Sequence, residues 1–353
     1  MDNKSLREWA SQRFGRVITD EELARRTSPV WPYKYFNPGK PVDPATVDEL
    51  LRGTVDAHVH GAPLGAWLAG RPTMVETSIE ASHAGMRALV FKDHNTMSNG
   101  TAIVIQDFLD RMAKDKASRG ESFEPTQVYG GIVLNETVGG LNVKAVEVAL
   151  GYGRCKEVWL PSLDAKHQRA AMGLEGGIDI RDGAELRPEM KKILEVLSEY
   201  NTNSQGECCV LSACHVSNEE KFALMDYVNA RGLRVDVFMD HVTQELTVFT
   251  PEEALAMVDK GAYLQFAQCS CVPWAGMQDW IVAFDYSFNL IKKLIQEKGP
   301  DHLVLVTDAG QPGNPPVQGW RSFLRTLLAQ GVEKRDIEIM AKEVPAKVLG
   351  LGT

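Results

Sequence analysis

The sequence predicts a (β/α)8 TIM-type barrel with an N-terminal helical and proline-rich arm, and three observations predict it. From residue 54 onward, eight apolar strand-like runs alternate with segments of helical period. Several helical segments close on glycine, as a left-handed C-terminal cap prefers. The residues suited to chemistry gather at the C-terminal ends of the apolar runs, the face of a parallel barrel where active sites lie. An open doubly wound sheet is the competing architecture. It asks for a glycine-rich phosphate turn after the first strand, and His60-Gly61-Ala62-Pro63-Leu64-Gly65 is not one.

Taken in order, residues 1–53 begin with an amphipathic helix bearing Leu6, Trp9, Ala10 and Phe14. A proline-rich stretch from Ser28 to Pro44 follows, with Trp31, Tyr33, Tyr35 and Phe36. Such an aromatic arm has to bury itself, over its own barrel or on a second subunit, so a homo-oligomer is expected. The barrel is expected to span 54–352. Its strand candidates are Thr54–His60, Ala88–His94, Gln127–Asn135, Glu157–Pro161, Val210–His215, Arg234–His241, Tyr263–Gln268 and Leu303–Asp308. Between them fall helical patterns at Thr73–His83, Gly100–Ser118, Leu141–Gly151, Pro188–Glu199, Asn218–Ala230, Pro251–Lys260, Asp279–Lys298 and Gln318–Gln330. Thr73 with Glu76 three residues on reads as a capping box. The glycines expected to end helices are Gly85, Gly151, Gly232, Gly261, Gly299 and Gly331. Residues 162–187, rich in glycine and charge, form a long loop after the fourth strand, placed to act as a lid. The segment Arg335–Gly352 reads as a closing helix.

The chain has 353 residues, 44% hydrophobic and 24% charged, enough for a sizeable core. Its net charge of −9 and lack of a basic stretch speak against nucleic acid and anionic membrane surfaces as partners. No apolar run approaches bilayer length. Residues 1–26 are highly charged and lack the apolar core of a signal peptide, so a cytoplasmic location is expected. The six cysteines are not spaced as a zinc ribbon or redox pair and read as reduced, buried thiols. Cys269 and Cys271 flank the predicted rim, within reach of substrate or a metal.

The first apolar run ends Asp56-Ala57-His58-Val59-His60. In an extended strand His58 and His60 point the same way, so two imidazoles can share a divalent metal. One such pair means little by itself. Three more runs end in His215, His241 and Asp308, and His215 and His241 lie 26 residues apart, close to one β/α unit. Four histidines and an aspartate at equivalent rim positions point to a metal centre rather than to buried structural histidines. Asp308 is placed to serve as a proton shuttle as well as a ligand; a helix-capping role fits less well, because Gly310 and Pro312 follow at once. Strand alternation turns Asp240 away from the pore, and neither it nor Asp236 joins the candidate site.

In the order His58, His60, His215, His241 and Asp308 the chain resembles the amidohydrolase superfamily. The closing Pro345-Ala346-Lys347-Val348-Leu349-Gly350-Leu351 is similar to the end of many members. Within the superfamily the chain is most similar to a little-characterised amidohydrolase-related group, through Val90-Phe91-Lys92-Asp93-His94, Tyr129-Gly130-Gly131-Ile132-Val133-Leu134-Asn135 and Thr307-Asp308-Ala309-Gly310-Gln311-Pro312. The resemblance covers about residues 54–352 and implies a metal-dependent barrel hydrolase without naming its substrate. It implies that His58, His60 and Asp308 hold a deeper divalent metal, with His215 and His241 at a second or orienting water and substrate. Zinc suits these donors best, and manganese, iron or nickel also fit.

Many binuclear members take a bridging carboxylated lysine from strand four. Here that strand ends Val158-Trp159-Leu160-Pro161-Ser162, with no lysine. Strand two ends Lys92-Asp93-His94 instead. Lys92 is therefore read as a carboxylated bridge between two metals, as an anchor for a substrate carboxylate beside His94, or as a structural ion-pair partner. Without a bridge, one metal is expected. His94, Asn135, His167, Gln268 and Trp274 are candidate substrate contacts. The expected activity is hydrolysis of a small molecule, an amide, cyclic amide or lactone, by metal-activated water with Asp308 as proton shuttle. The alternatives are a mononuclear zinc-dependent decarboxylase of a small carboxylic acid, and a non-catalytic metal-binding barrel.

Overall fold

The computed structural model describes residues 39–63, 70–204, 207–274 and 284–352. The predicted N-terminal helix, the aromatic arm and the start of the predicted helix at 279 lie outside the described residues. No helix among the described residues is long and apolar enough to cross a membrane.

Eight parallel strands form one sheet. The first half comprises β1 (Val55–Val59), β2 (Ala88–Phe91), β3 (Gln127–Val133) and β4 (Cys155–Trp159). A two-stranded ribbon, β5 (Arg181–Asp182) and β6 (Glu185–Leu186), interrupts the series. It resumes with β7 (Val210–Ser212), β8 (Val237–Met239), β9 (Tyr263–Ala267) and β10 (Leu303–Val306). Seven of these eight lie within one predicted run each, β4 starts two residues ahead of the predicted Glu157, and nearly every residue is buried, as strands covered by helices outside and filled by side chains inside must be. The ring closes between β10 and β1. Asp308 N donates to His58 O (2.8 Å), His60 N donates to Ala309 O (2.8 Å), and Thr307 N donates to Asp56 Oδ1 (3.0 Å). This seam sets Asp308 beside the two histidines of the first strand.

Helices α1 (Pro44–Leu51), α2 (Met74–His83), α3 (Asn99–Ser118), α4 (Val143–Tyr152), α5 (Lys166–Ala171), α6 (Pro188–Asn203), α7 (Asn218–Arg231) and α8 (Pro251–Asp259) follow in chain order. After β9 come α9 (Gln268–Cys271), α10 (Phe284–Lys298) and α11 (Pro316–Ala329). Thr73 and Glu76 make the predicted capping box, and Ser217 with Glu220 and Thr250 with Glu253 make two more. Of the predicted glycine caps, Gly151 is a correction. It lies inside α4, and Gly153, with φ 81°, follows the helix instead. The segment 162–187 is not one long loop but holds α5 and the β5–β6 ribbon. The closing helix is three short pieces, α12 (Lys334–Glu338), a π-turn (Ile339–Glu343) and α13 (Val344–Val348). Ahead of β1, α1 packs on α11 and brings Val47, Leu50 and Leu51 into the core.

Two glycines let the site form. A Cβ on Gly131 would lie 1.7 Å from Glu157 O and 2.8 Å from the Trp159 ring, so only glycine admits that indole. Gly310, with φ 113°, would put a Cβ 2.0 Å from His60 O; its absence lets the chain after Asp308 press onto β1.

Candidate metal centre

The ring nitrogens of His58 and His60 and a carboxylate oxygen of Asp308 lie within 4.8 Å of one another. His60 Nδ1 meets Lys92 O at 2.9 Å; a carbonyl only accepts, so Nδ1 carries the proton and Nε2 is left with its lone pair. His58 Nδ1 likewise faces the Asp240 carboxylate at 3.2 Å, and Gln265 Oε1 at 3.4 Å, which leaves His58 Nε2 without a proton. Both unprotonated nitrogens point at Asp308 Oδ1, at 3.3 Å from His58 and 3.0 Å from His60. Three acceptors facing one another without a proton between them repel, and a cation among them removes the repulsion.

Further round the rim, His241 Nδ1 donates to Thr247 Oγ1 (2.8 Å), whose hydroxyl donates to His241 O (3.0 Å). Its Nε2 is buried without a partner, as is His215 Nδ1. The His215 and His241 ring centroids are 5.0 Å apart, and the His241 and His58 rings 5.9 Å apart. All five predicted ligands other than Lys92 thus face one mouth. His58, His60 and Asp308 form the tight group, and His215 and His241 sit beside it. Orphaned ring nitrogens and a carboxylate are the donors a zinc-like divalent ion takes, so the residues fit such an ion.

Burial keeps four imidazoles of the site neutral and able to ligate. It pushes His60 down to about 4 and His241 down to about 3, and holds His94 and His215 well below the usual range. Burial alone would raise Asp308, but a proton taken up by His58, His60 or His241 lies against its carboxylate, and that attraction holds the carboxyl well below its usual range. The Cys269 thiol, pushed up by burial, donates to Asp308 Oδ2 at 3.1 Å.

Lys92 is fully buried, with Nζ 3.2 Å from His58 Nε2 and 3.1 Å from Cys214 Sγ. Burial would lower its ammonium, but Cys214, Asp240 and Asp308 outweigh that and raise it. In this structure Lys92 is itself a cation against the His58 lone pair. His94 stacks on His60, with centroids 4.9 Å apart, and its Nδ1 meets Ser162 Oγ at 2.8 Å.

The other candidate contacts are committed to the scaffold at the atoms that hydrogen-bond. Asn135 Nδ2 donates to His94 O and Ser162 Oγ, and its Oδ1 accepts from Ser162 N and Asp164 N. His167 Nε2 meets Leu246 O at 2.9 Å, Gln268 Oε1 accepts from Asn314 Nδ2 at 3.0 Å, and Trp274 Nε1 donates to Cys269 O at 3.2 Å.

Asp240 corrects the sequence reading. It faces the pore, with Oδ1 3.2 Å from His58 Nδ1, and accepts from Cys214 N on Oδ2 at 2.6 Å. Alternation fails there because β8 ends at Met239 and His241 turns left-handed, with φ 31°. The only signal in the sequence was a carboxylate directly before a ligand histidine.

Solved structures that this chain is similar to include hydrolases. An organophosphorus hydrolase from Deinococcus radiodurans matches with a TM-score of 0.53 and 13% identity, over 86% of this chain and 93% of that one. An amidohydrolase from Pseudomonas aeruginosa matches at 0.52 and 14%, over 87% and 98%. A probable 2-pyrone-4,6-dicarboxylic acid hydrolase from Acinetobacter baumannii matches at 0.51 and 12%, over 84% and 99%. The likeness is one of fold, the (β/α)8 barrel described above. No curated protein matches the sequence. A family of unknown function, DUF6282, matches residues 53–265, and the chain belongs to it.

Proposed function

We propose that the chain is a metal-dependent hydrolase of a small molecule, cleaving an amide, cyclic amide or lactone. The observation that carries this is the convergence of the unprotonated His58 and His60 Nε2 atoms on Asp308 Oδ1, with His241 Nε2 and His215 Nδ1 orphaned beside them. His58, His60 and Asp308 would hold a divalent ion, zinc by donor preference, with His215 and His241 offering a second position; such an ion would polarise a carbonyl and lower the pKa of a nearby water.

The chain's own residues do the rest. Asp308 is ionised at neutral pH, and Oδ1 lies at the centre of the group, so it accepts the proton as water adds to the carbonyl carbon. As the C–N or C–O bond breaks, the same oxygen returns that proton to the leaving nitrogen or oxygen. The Cys269 thiol on Oδ2 holds the carboxylate in the orientation this transfer needs. Asp240 fixes the His58 ring, and Lys92 O fixes the His60 ring. Lys92 is proposed as the bridge when carboxylated. His94, stacked on His60 at the partly open mouth, lines the substrate's path.

A second reading, in which Lys92 stays an unmodified ammonium 3.2 Å from His58 Nε2, is a one-metal decarboxylase of a small carboxylic acid. Elemental analysis and mass spectrometry of chelator-free protein, followed by a lactone and cyclic-amide panel, test both. Two ions with a carboxylated Lys92 and released acid support hydrolysis. One ion, a bare lysine and CO2 from carboxylic acids support the second reading. No ion after incubation with zinc or manganese overturns both. The six free cysteines support a reducing compartment, in keeping with a cytoplasmic location. A homo-oligomer remains the proposed assembly, read by light scattering.

A further inference from the structure

Arg71 lies on the rim between the two ends of the metal-ligand group. Ala62 N donates to Pro72 O (2.9 Å) and Met74 N donates to Ala62 O (3.1 Å), which ties the residues around Arg71 to the chain leaving His60. A Cβ on its neighbour Gly70 would lie 4.0 Å from Pro312 Cβ, so the same segment rests on the chain leaving Asp308. Arg71 Nε and Nη1 are shut off from solvent and have no hydrogen-bond partner. Two carboxylates are in electrostatic reach, Asp308 and Asp93, yet neither forms an ion pair with Arg71 among the described residues. Both are already used. Asp308 faces the two histidines and the Cys269 thiol, and Asp93 accepts from Asn95 N (2.8 Å), Thr96 N (3.3 Å) and Thr96 Oγ1 (3.1 Å).

A guanidinium stays charged under any of these conditions, and one with partnerless, water-excluded nitrogens beside a reactive centre is built to meet an anion. We infer that Arg71 anchors a carboxylate of the substrate, so that the molecule cleaved is a lactone or cyclic amide bearing a carboxylic acid. A carboxylate suits Arg71 better than a phosphate dianion, because Asp93 and Asp308 repel a second negative charge held at the guanidinium itself, whereas the far carboxylate of a dicarboxylate such as glutarate is met by the zinc. The inference rests on the hydrolase reading for the bond that breaks, but the anion site stands or falls separately.

The test uses the full-length, zinc-loaded protein. Calorimetry measures binding of glutarate, with uncharged glutaramide and inorganic phosphate as comparisons. Hydrolysis of 5-oxotetrahydrofuran-2-carboxylate is compared with that of γ-butyrolactone, which lacks only the carboxylate. Glutarate is expected to bind, and to lose about tenfold to a hundredfold in Arg71→Met, with partial recovery in Arg71→Lys. Arg111→Met, an exposed arginine paired with Asp107, should bind as the parent does. The carboxylated lactone should show the lower KM, and that advantage should vanish in Arg71→Met. Thermal melts of each variant confirm that it is folded. Glutarate binding that is absent, unchanged in both Arg71 variants, or weaker than phosphate binding overturns the inference. Arg71-dependent glutarate binding without hydrolysis of either lactone overturns the hydrolase reading and leaves the anion site standing.

Discussion

At Asp240 a single carboxylate ties together two features of the site, the proton state of His58 and the left-handed turn at Cys214. Replacing it with asparagine keeps an acceptor for Cys214 N but removes the charge that holds His58 in one tautomer. Zinc affinity of Asp240→Asn should fall by about tenfold to a hundredfold, read by competition with a chelating dye, while the fold is kept. Unchanged affinity would mean that Asp240 does not orient the ligand. The buried histidines make a second prediction. His60 and His241 bind a proton in the folded chain only near pH 4 and 3, whereas their ordinary value is 6.5. The unfolded chain therefore binds more protons across that window, and stability falls as pH drops from 6.5 towards 4. Asp56 acts in the opposite sense, since burial lifts it to about 6 and its contribution is lost as pH rises from 3.8 through 6. Four depressed histidines outweigh it, so chelator-treated protein should show a lower urea midpoint at pH 4.5 than at pH 7. A flat profile would place these imidazoles in solvent.

The elements of the barrel were legible because their signals are local. Thr73 with Glu76 declares a cap within a few residues, and the unbroken apolar run Leu303–Val306 just ahead of Asp308 declares a buried strand. The candidate ligands could be singled out for the same reason, since each lies in a strand or within three residues of its end. What could not be read was tertiary. Asp240 depends on a left-handed corner one residue later, the Lys92–Cys214 contact joins residues on two separate strand ends, and Arg71 sits where two loops meet. The seam between β1 and β10 is another such case. Asp56 accepts there from Thr307 N, Thr307 Oγ1 and, across from α11, Trp320 Nε1 at 2.9 Å. Trp320→Phe keeps the ring and deletes one donor to a buried carboxylate. Urea melts should show a loss of about 1–3 kcal/mol. No change would mean that the seam closes without the indole.

For the whole molecule, the candidate ligands come from distant parts of the chain, His58 and His60 early and Asp308 late. An ion bound there links the first strand to the last across the closing seam. It should stabilise the entire barrel by mass action, by about 4 kcal/mol at a thousandfold excess over Kd. Scanning calorimetry of chelator-treated protein should show a single transition that rises by several degrees when zinc is restored. A shift confined to one part of a split transition would mean that the ion grips only a local segment.

Cys214, His241 and Asp308 all adopt positive φ, at 50°, 31° and 48°, where side-chain-bearing residues are disfavoured. Each stands at a corner that glycine would occupy with less strain. This gives the family a molecular clock for lost activity. In any lineage released from selection on the reaction, these three corners should drift first towards glycine or asparagine, gaining stability as they do so. A relative that keeps the barrel but carries glycine at these corners should therefore be a fossil enzyme, sturdier than its ancestor and inert.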